Sequence, residues 1–363
     1  MEKKKLLEGE KSRVLDQCIS CYACNAFCPH DCHPYELILF KRFNRYREKG
    51  LPLRAEYLMP SSESNFRTDL VPKMSGRERE LINKWQETPP EGELVLYPGC
   101  NILALPHLLD ASFMEGITIA GGWELCCGEM YFRMGLLDEV KRRAGKLTEY
   151  YRDKKIGTML FSCTACLNMF ANVLPHQFGA RFKFETKYLG TYLLEQVEAG
   201  RIRLETKIDK TVTVHDSCHA RILGADVMDD SRRLLEKGGA RIVEMELNRE
   251  EGLCCGAAAG GKRYNPFDIL FASARALKEG RKAGTEEIAL YCGGCQLAFS
   301  LCGLIIPSRP PVRHMLEYVK VACGEEGSSP ARTRAAEMLF NILAKLFPTY
   351  LSSRRFWIAD QSG

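Results

Sequence analysis

The sequence predicts an α/β protein of two tandem, pseudo-symmetric units with mostly parallel sheets, preceded by a small α-helical segment that carries its own cysteines. Three observations predict it. Short apolar runs, LVLY at 94–97, TMLF at 158–161, TVTV at 211–214 and IALY at 288–291, have the length and the aliphatic and aromatic content of buried strands. Between them lie amphipathic stretches at helical spacing, such as LLDEVKRRAGKLTEYYRDK (136–154) and PFDILFASARALKEGRKAG (266–284), and strands alternating with helices build layered folds around parallel sheets. The cysteines also repeat in order: Cys100, Cys126-Cys127-Gly128 and Cys163-x-x-Cys166 are followed by Cys218, Cys254-Cys255-Gly256 and Cys292-x-x-Cys295. The double cysteines and the CxxC pairs recur at nearly one offset, with an insertion before the second double cysteine. Such self-similarity implies two related structural units.

Taken in order, residues 1–50 hold Cys18, Cys21, Cys24, Cys28 and Cys32 and then a helical stretch, ELILFKRFNRYREKG, that ends at a glycine. Residues 51–92 are rich in Ser, Pro and Glu, run into ETPPEGE and read as a linker. The two repeat units occupy 93–208 and 209–323. In sheets of this kind ligands gather beyond the carboxyl ends of the strands. Four of the six cysteine groups directly follow an apolar run, so five sulfurs from three loops converge on one side of each unit. After GEEGSSP, the tail at 324–363 contains a helix with Arg334, Glu337, Asn341 and Lys345 on a narrow polar stripe. Its wide face of Ala336, Leu339, Phe340, Ile342, Leu343, Leu346 and Phe347 must be covered by its own domain, by a partner helix or by a membrane surface, the last favoured by Trp357 and Arg354-Arg355.

Composition narrows the function. With 363 residues, 45% hydrophobic and 27% charged, the chain has ordinary globular usage, and 51 basic against 46 acidic side chains give too small a charge to argue for nucleic acid. The N-terminal MEKKKLLEGEKSRVLDQ has no apolar run behind its lysines, and no stretch approaches a membrane span, so the expected location is cytoplasmic. Seventeen cysteines in a reducing compartment point to metal rather than to a disulfide framework. No G-x-G-x-x-G follows a predicted strand, so a nicotinamide or flavin site is not expected and electrons must come from a partner.

Cys18-x2-Cys21-x2-Cys24-x3-Cys28-Pro29 is the bacterial ferredoxin run, which wraps a cubane [4Fe–4S] cluster. The fourth ligand stays open between Cys28, Cys32 and a distant cysteine such as Cys302 or Cys323, with Cys28 preferred; the last two otherwise read as small apolar residues. The paired C…CCG…CxxC motifs resemble the CCG domains of the heterodisulfide reductase catalytic subunit family, over roughly residues 93–323. That resemblance implies a noncubane [4Fe–4S] cluster on each motif, one held by Cys100, Cys126, Cys127, Cys163 and Cys166 and one by Cys218, Cys254, Cys255, Cys292 and Cys295. It also explains adjacent cysteines, since neighbouring thiolates can serve neighbouring irons of an elongated cluster. Gly128 and Gly256 would let the backbone turn closely past it. His215 and His219 flank Cys218 as candidate proton donors, where the first motif has Tyr97 and Asn101.

The implied function is an iron–sulfur oxidoreductase subunit of an anaerobic complex, passing electrons through the cubane to the paired clusters and on to a partner. In the family such a pair cleaves a disulfide, and this is the alternative reading. Family members with two ferredoxin runs differ from this chain, which has one. The expected partners are flavin or iron–sulfur subunits and a small thiol disulfide, with membrane contact at most peripheral. A zinc–thiolate scaffold is the remaining rival.

Overall fold

The computed structural model describes residues 13–306, 310–327 and 329–358. The lysine-rich start of the chain lies outside the described residues.

The two repeat units fold alike. In the first, strands β2 (Gly92–Tyr97), β3 (Thr118–Ile119), β4 (Ile156–Phe161) and β5 (Glu185–Tyr188) form a four-stranded parallel sheet in the order β3-β2-β4-β5. In the second, β6 (Thr211–His215), β7 (Arg241–Ile242), β8 (Glu287–Leu290) and β9 (Val312–His314) repeat it in the order β7-β6-β8-β9. Each apolar run picked out in the sequence is a central strand or its end. Val95, Leu96, Met159, Leu160, Val212, Val214, Ile288 and Ala289 are all buried, as expected for strands covered on both faces.

This strand order places a topological switch point between β2 and β4, and another between β6 and β8. Loops leaving neighbouring strands there diverge to opposite faces of the sheet and leave a crevice. Cys100 and Cys163 follow the ends of β2 and β4, and Cys218 and Cys292 follow β6 and β8. The backbone thus delivers the cysteines to the crevice before any side chain is considered.

The N-terminal segment is helical, with short turns at Val14–Gln17 and Ala23–Ala26 and a longer helix at Pro34–Lys49. That helix stops at Gly50, whose φ of +60° suits glycine and where a Cβ would meet the Phe356 carbonyl at 2.9 Å.

Two expectations need correction. Residues 51–92 are a packed layer and not a linker: short 3-10 helices at Leu53–Leu58 and Thr68–Lys73 lead into a helix at Gly76–Glu87. A capping box starts that helix, with Ser75 Oγ accepting from the Glu78 amide at 3.2 Å and Glu78 Oε2 accepting from the Ser75 amide at 3.0 Å. Leu70, Leu81, Ile82 and Trp85 are buried. Polar composition hid these anchors, because they stand singly or in pairs among Ser, Pro and Glu.

The second correction concerns the tail helix, Ala331–Asn341 with its continuation to Leu346. Its polar stripe turns toward the 51–92 layer, with Arg334 buried and Lys345 at the other end exposed. Arg334, only 4% exposed, donates to both carboxylate oxygens of Glu78 at 2.8 and 2.9 Å, and Lys345 pairs with Asp69 at 2.8 Å. Ala335, Met338, Ile342 and Leu346 are buried beside that stripe, while Phe340 (70% exposed) and Leu343 (51%) face out. The acidic residues of the 64–78 layer, invisible to a helix read alone, set this orientation. Past the helix, β10 (Arg355–Phe356) pairs antiparallel with β1 (Leu51–Pro52), clasping layer and tail together.

Candidate metal centre

The ten cysteines of the two repeats are buried and lie in one connected group. In the first unit contacts run from Cys100 to Cys126, to Cys127, to Cys166 and to Cys163, with Cys127 and Cys166 sulfurs 3.6 Å apart. The second unit repeats the path, from Cys218 to Cys254, Cys255, Cys295 and Cys292. The two paths meet where Cys163 Sγ lies 3.9 Å from Cys292 Sγ. Beside that junction Thr164 and Ser217 share a hydroxyl hydrogen bond of 2.6 Å.

Both double cysteines are followed by a glycine in the left-handed region, Gly128 at φ +84° and Gly256 at φ +81°. The turn swings the chain past the sulfurs into the Glu129–Met134 helix in one unit and the Ala257–Ala259 turn in the other.

Electrostatics show how uneasy the bare thiols are. Hydrogen bonds from neighbouring thiols hold three sulfurs below the ordinary thiol range: Cys126 through Cys100 and Cys127, Cys292 through Cys163 and Cys295, and Cys255, at about 6, through Cys254 and Cys295. Their donors Cys100, Cys127 and Cys295 are pushed well up by neighbouring thiols and by burial. Protons alone serve such a group poorly, since S–H is a weak donor and thiolates cannot be buried unpaired. Soft sulfur donors in a buried, closely spaced set suit thiophilic metals, iron–sulfur clusters among them.

His215 and His219 do different things. His215, at the end of β6, packs edge-on against Phe299 at 4.5 Å, and a ring nitrogen lies within 4.8 Å of Cys255 and Cys295 sulfurs. Burial lowers its pKa to about 4, so at neutral pH it is an uncharged imidazole and not a ready acid. Its Nε2 has no hydrogen-bond partner among the described residues. His219 Nε2 is engaged by Glu129 at 3.1 Å and by Arg133. In the first unit, Tyr97 donates to the Leu125 carbonyl at 2.5 Å, and Asn101 accepts from Arg67 Nε at 2.9 Å.

In the N-terminal run, burial and then the charges of Cys18 and Cys21 push Cys24 up to about 11, which places these three sulfurs together. Backbone amides of Ser20 and Cys32 point at Cys18 and Cys28 sulfurs, each at 3.4 Å. Cys32 is exposed and directs its thiol to the His30 carbonyl. Cys302 lies between two helices of the second unit, 3.9 Å from the Leu270 carbonyl, and Cys323 closes the Met315–Ala322 helix.

Sequence reasoning missed the arginines that join these parts. Arg133 donates to the Ser20 carbonyl, forms an ion pair with Glu129, lies 3.4 Å from Cys218 Sγ and sits over the Tyr22 ring at 5.0 Å. Arg221 donates to the carbonyls of Cys21 at 2.6 Å and Glu250 at 2.5 Å, and to that of Gly252. No motif marks them; only their closeness to Cys127 and Cys218 in sequence was visible.

Against the second unit's five cysteines lies a mainly apolar cavity of about 90 Å³. Tyr57, Leu58 and Phe66 of the 51–92 layer and Met338, Ile342 and Leu346 of the tail roof it.

Fold and site together make a buried cysteine centre at the switch points of two parallel α/β units, and comparison with known proteins connects it with iron–sulfur oxidoreductases. Residues 212–300 match the CCG cysteine-rich domain family, a span holding all five second-unit cysteines. The chain is homologous to one of the subunits of dihydromethanophenazine:CoB–CoM heterodisulfide reductase from Methanosarcina barkeri, 26% identical over 325 residues, covering 85% of this chain and 77% of that one. EtfAB:quinone oxidoreductase of Syntrophomonas wolfei is 26% identical over 283 residues, 72% of this chain but 38% of the longer relative. A 96-residue stretch, 26% of this chain, is 40% identical to 13% of FadF of Bacillus subtilis, an iron–sulfur-binding oxidoreductase by name. Among the described residues no helix is long and apolar enough to cross a membrane.

Proposed function

We propose that this chain is an electron-transferring subunit of a larger redox complex. One cubane [4Fe–4S] cluster is held by Cys18, Cys21, Cys24 and Cys28. Two noncubane clusters are held by the first-unit set (Cys100, Cys126, Cys127, Cys163, Cys166) and the second-unit set (Cys218, Cys254, Cys255, Cys292, Cys295). Clusters in these places would supply one-electron transfer; the protein fixes their order.

The observation that carries this reading is the continuity of the sulfur path with the N-terminal segment. Arg133 and Arg221 tie the turn at Ser20–Cys21 to the Cys218 and Cys254 loops. The second unit touches the first through Cys292 and Cys163. The order of transfer in this reading is N-terminal run, second unit, first unit, which differs from the order in sequence; the N-terminal segment itself contacts both units, since Arg42 also donates to the Arg133 carbonyl of the first at 2.7 Å. Flavin or iron–sulfur subunits would sit at the two ends.

Anaerobically purified protein should contain about twelve irons per chain, four from each centre. Zinc in their place, or about four irons, would refute the assignment. Cys255→Ser should stop reduction of the first centre by the N-terminal cluster, whereas Cys127→Ser should leave the second centre reducible. Freeze-quench paramagnetic resonance reads both, and the reverse pattern would refute the order.

The cavity beside the second-unit cysteines favours a second reading, in which a small thiol disulfide is cleaved there. Under that reading the isolated chain, given a low-potential reductant without oxygen, cleaves a disulfide, and Cys255→Ser abolishes turnover.

A further inference from the structure

The two units differ most sharply at the residue three positions before the first cysteine of each motif, Tyr97 in one and His215 in the other. Tyr97 is satisfied by the carbonyl of Leu125 and presents no free electron pair of a nitrogen to the sulfurs. His215 is buried, its Nε2 has no partner among the described residues, and one of its ring nitrogens lies within 4.8 Å of the sulfurs of both Cys255 and Cys295, which lie within the same distance of each other. An unpartnered polar atom inside a protein is costly and calls for an explanation. Imidazole nitrogen is a regular ligand of iron alongside thiolate, as in centres where histidine replaces cysteine.

We infer that His215 is a nitrogen ligand of the iron centre in the second unit, joining Cys255 and Cys295. This rests on the cluster assignment proposed above and adds to it a chemical difference between the two centres. The ring is well placed to stay put: β6 fixes its backbone in register with β8, Val214↔Ala289 and His215↔Leu290, and Phe299 packs against the ring in a T-shaped contact. Aspartate at the next position is locked away from the metal by Arg232 at 2.8 Å on each oxygen and by the Tyr291 hydroxyl at 2.9 Å, so it does not compete as a ligand. His219 differs in place: its Nε2 is shared by Glu129 and Arg133, and although its Nδ1 is also unpartnered among the described residues, His215 is the histidine that groups with two cysteine sulfurs within 4.8 Å.

The test is pulsed paramagnetic resonance on the full chain, purified without oxygen and partly reduced, with all histidines labelled with nitrogen-15. A strong histidine nitrogen coupling is expected. It should persist in Cys127→Ser, which lacks the first centre, and in His219→Asn, and vanish in His215→Phe. A chain that carries its full iron but shows no histidine coupling, or only the weak coupling of a hydrogen-bonded nitrogen, overturns the ligand. So does a coupling that survives His215→Phe. The wild-type measurement decides even if that variant fails to retain iron. Iron content, measured first, separates failure of the cluster assignment from failure of His215 as a ligand.

Discussion

The two repeat units share strand order, cysteine order and a left-handed glycine, yet they present their sulfurs to different surroundings. In the first unit Tyr97 bonds to the Leu125 carbonyl of its own loops, and Asn101 is held by Arg67 of the 51–92 layer. In the second, the corresponding positions are His215, unpartnered at Nε2 among the described residues, and His219, tied to Arg133. A cavity lies against the second set of cysteines, and Arg221 of that unit binds the Cys21 carbonyl of the N-terminal run. Duplication supplied two equal frames. The inequality comes from a few side chains and from two segments outside the repeats, the 51–92 layer and the tail.

The comparison breaks most severely if the roof is removed. Truncation after Gly327 deletes Met338, Ile342 and Leu346 and exposes the second unit's cavity. The second centre should then be lost, with the first retained in whatever protein stays soluble; iron analysis and resonance spectra check this. Equal loss from both units would mean that the roof stabilises the whole chain and not one site.

Arg334→Ala removes one partner of a buried ion pair and strands Glu78. Such changes cost about 3–5 kcal/mol, read as a fall in the urea midpoint. The pair also sets an acid limit. Burial opposes ionisation of Glu78, but the Ser75 amide and Arg334 outweigh it and hold the carboxyl below its ordinary value. Its contribution is therefore complete above the ordinary carboxylate pKa and is lost as pH falls through the lowered value. The Arg334→Ala chain should show less of this acid-side stability loss, because only the share of the Ser75 amide remains.

A smaller effect compares the glycines. In Gly256→Ala the new Cβ would sit 2.4 Å from Ala272 Cβ and 3.0 Å from the Ile269 carbonyl, whereas in Gly128→Ala it meets Arg143 Cδ at 3.3 Å. Both pay about 1 kcal/mol for a left-handed alanine, and the second unit adds overpacking of about 1–3 kcal/mol. Denaturation should rank Gly256→Ala as the more harmful. Smallest of all is Phe340→Ser on the exposed face of the tail, where stability should change by no more than about 0.5 kcal/mol. A large loss there would mean that this face is covered in solution.

Much of this was legible in the sequence. Buried strands announce themselves as apolar runs, so LVLY and IALY could be placed without a structure, and sulfur order exposed the duplication. The 51–92 layer was not legible, since Leu70 and Trp85 stand among polar neighbours and their burial depends on surfaces far away in sequence. Neither was the direction of the tail helix's polar stripe: amphipathicity marks two faces but not which one meets an acidic surface. His215 was noticed for its closeness to Cys218 in sequence, whereas in space it stands beside Cys255 and Cys295, a relation created by sheet pairing.

The clasp of β1 with β10 has a consequence for biosynthesis. β1 leaves the ribosome before either repeat unit, and β10 only after both, together with the helix that roofs the second cavity. Domains fold as units while synthesis proceeds, those nearer the N-terminus first. The first unit can thus enclose its sulfurs early, while the second remains uncovered until residues 331–356 have emerged. That interval gives the machinery of metal delivery a longer period of access to one site than to the other, timed by the chain's own length.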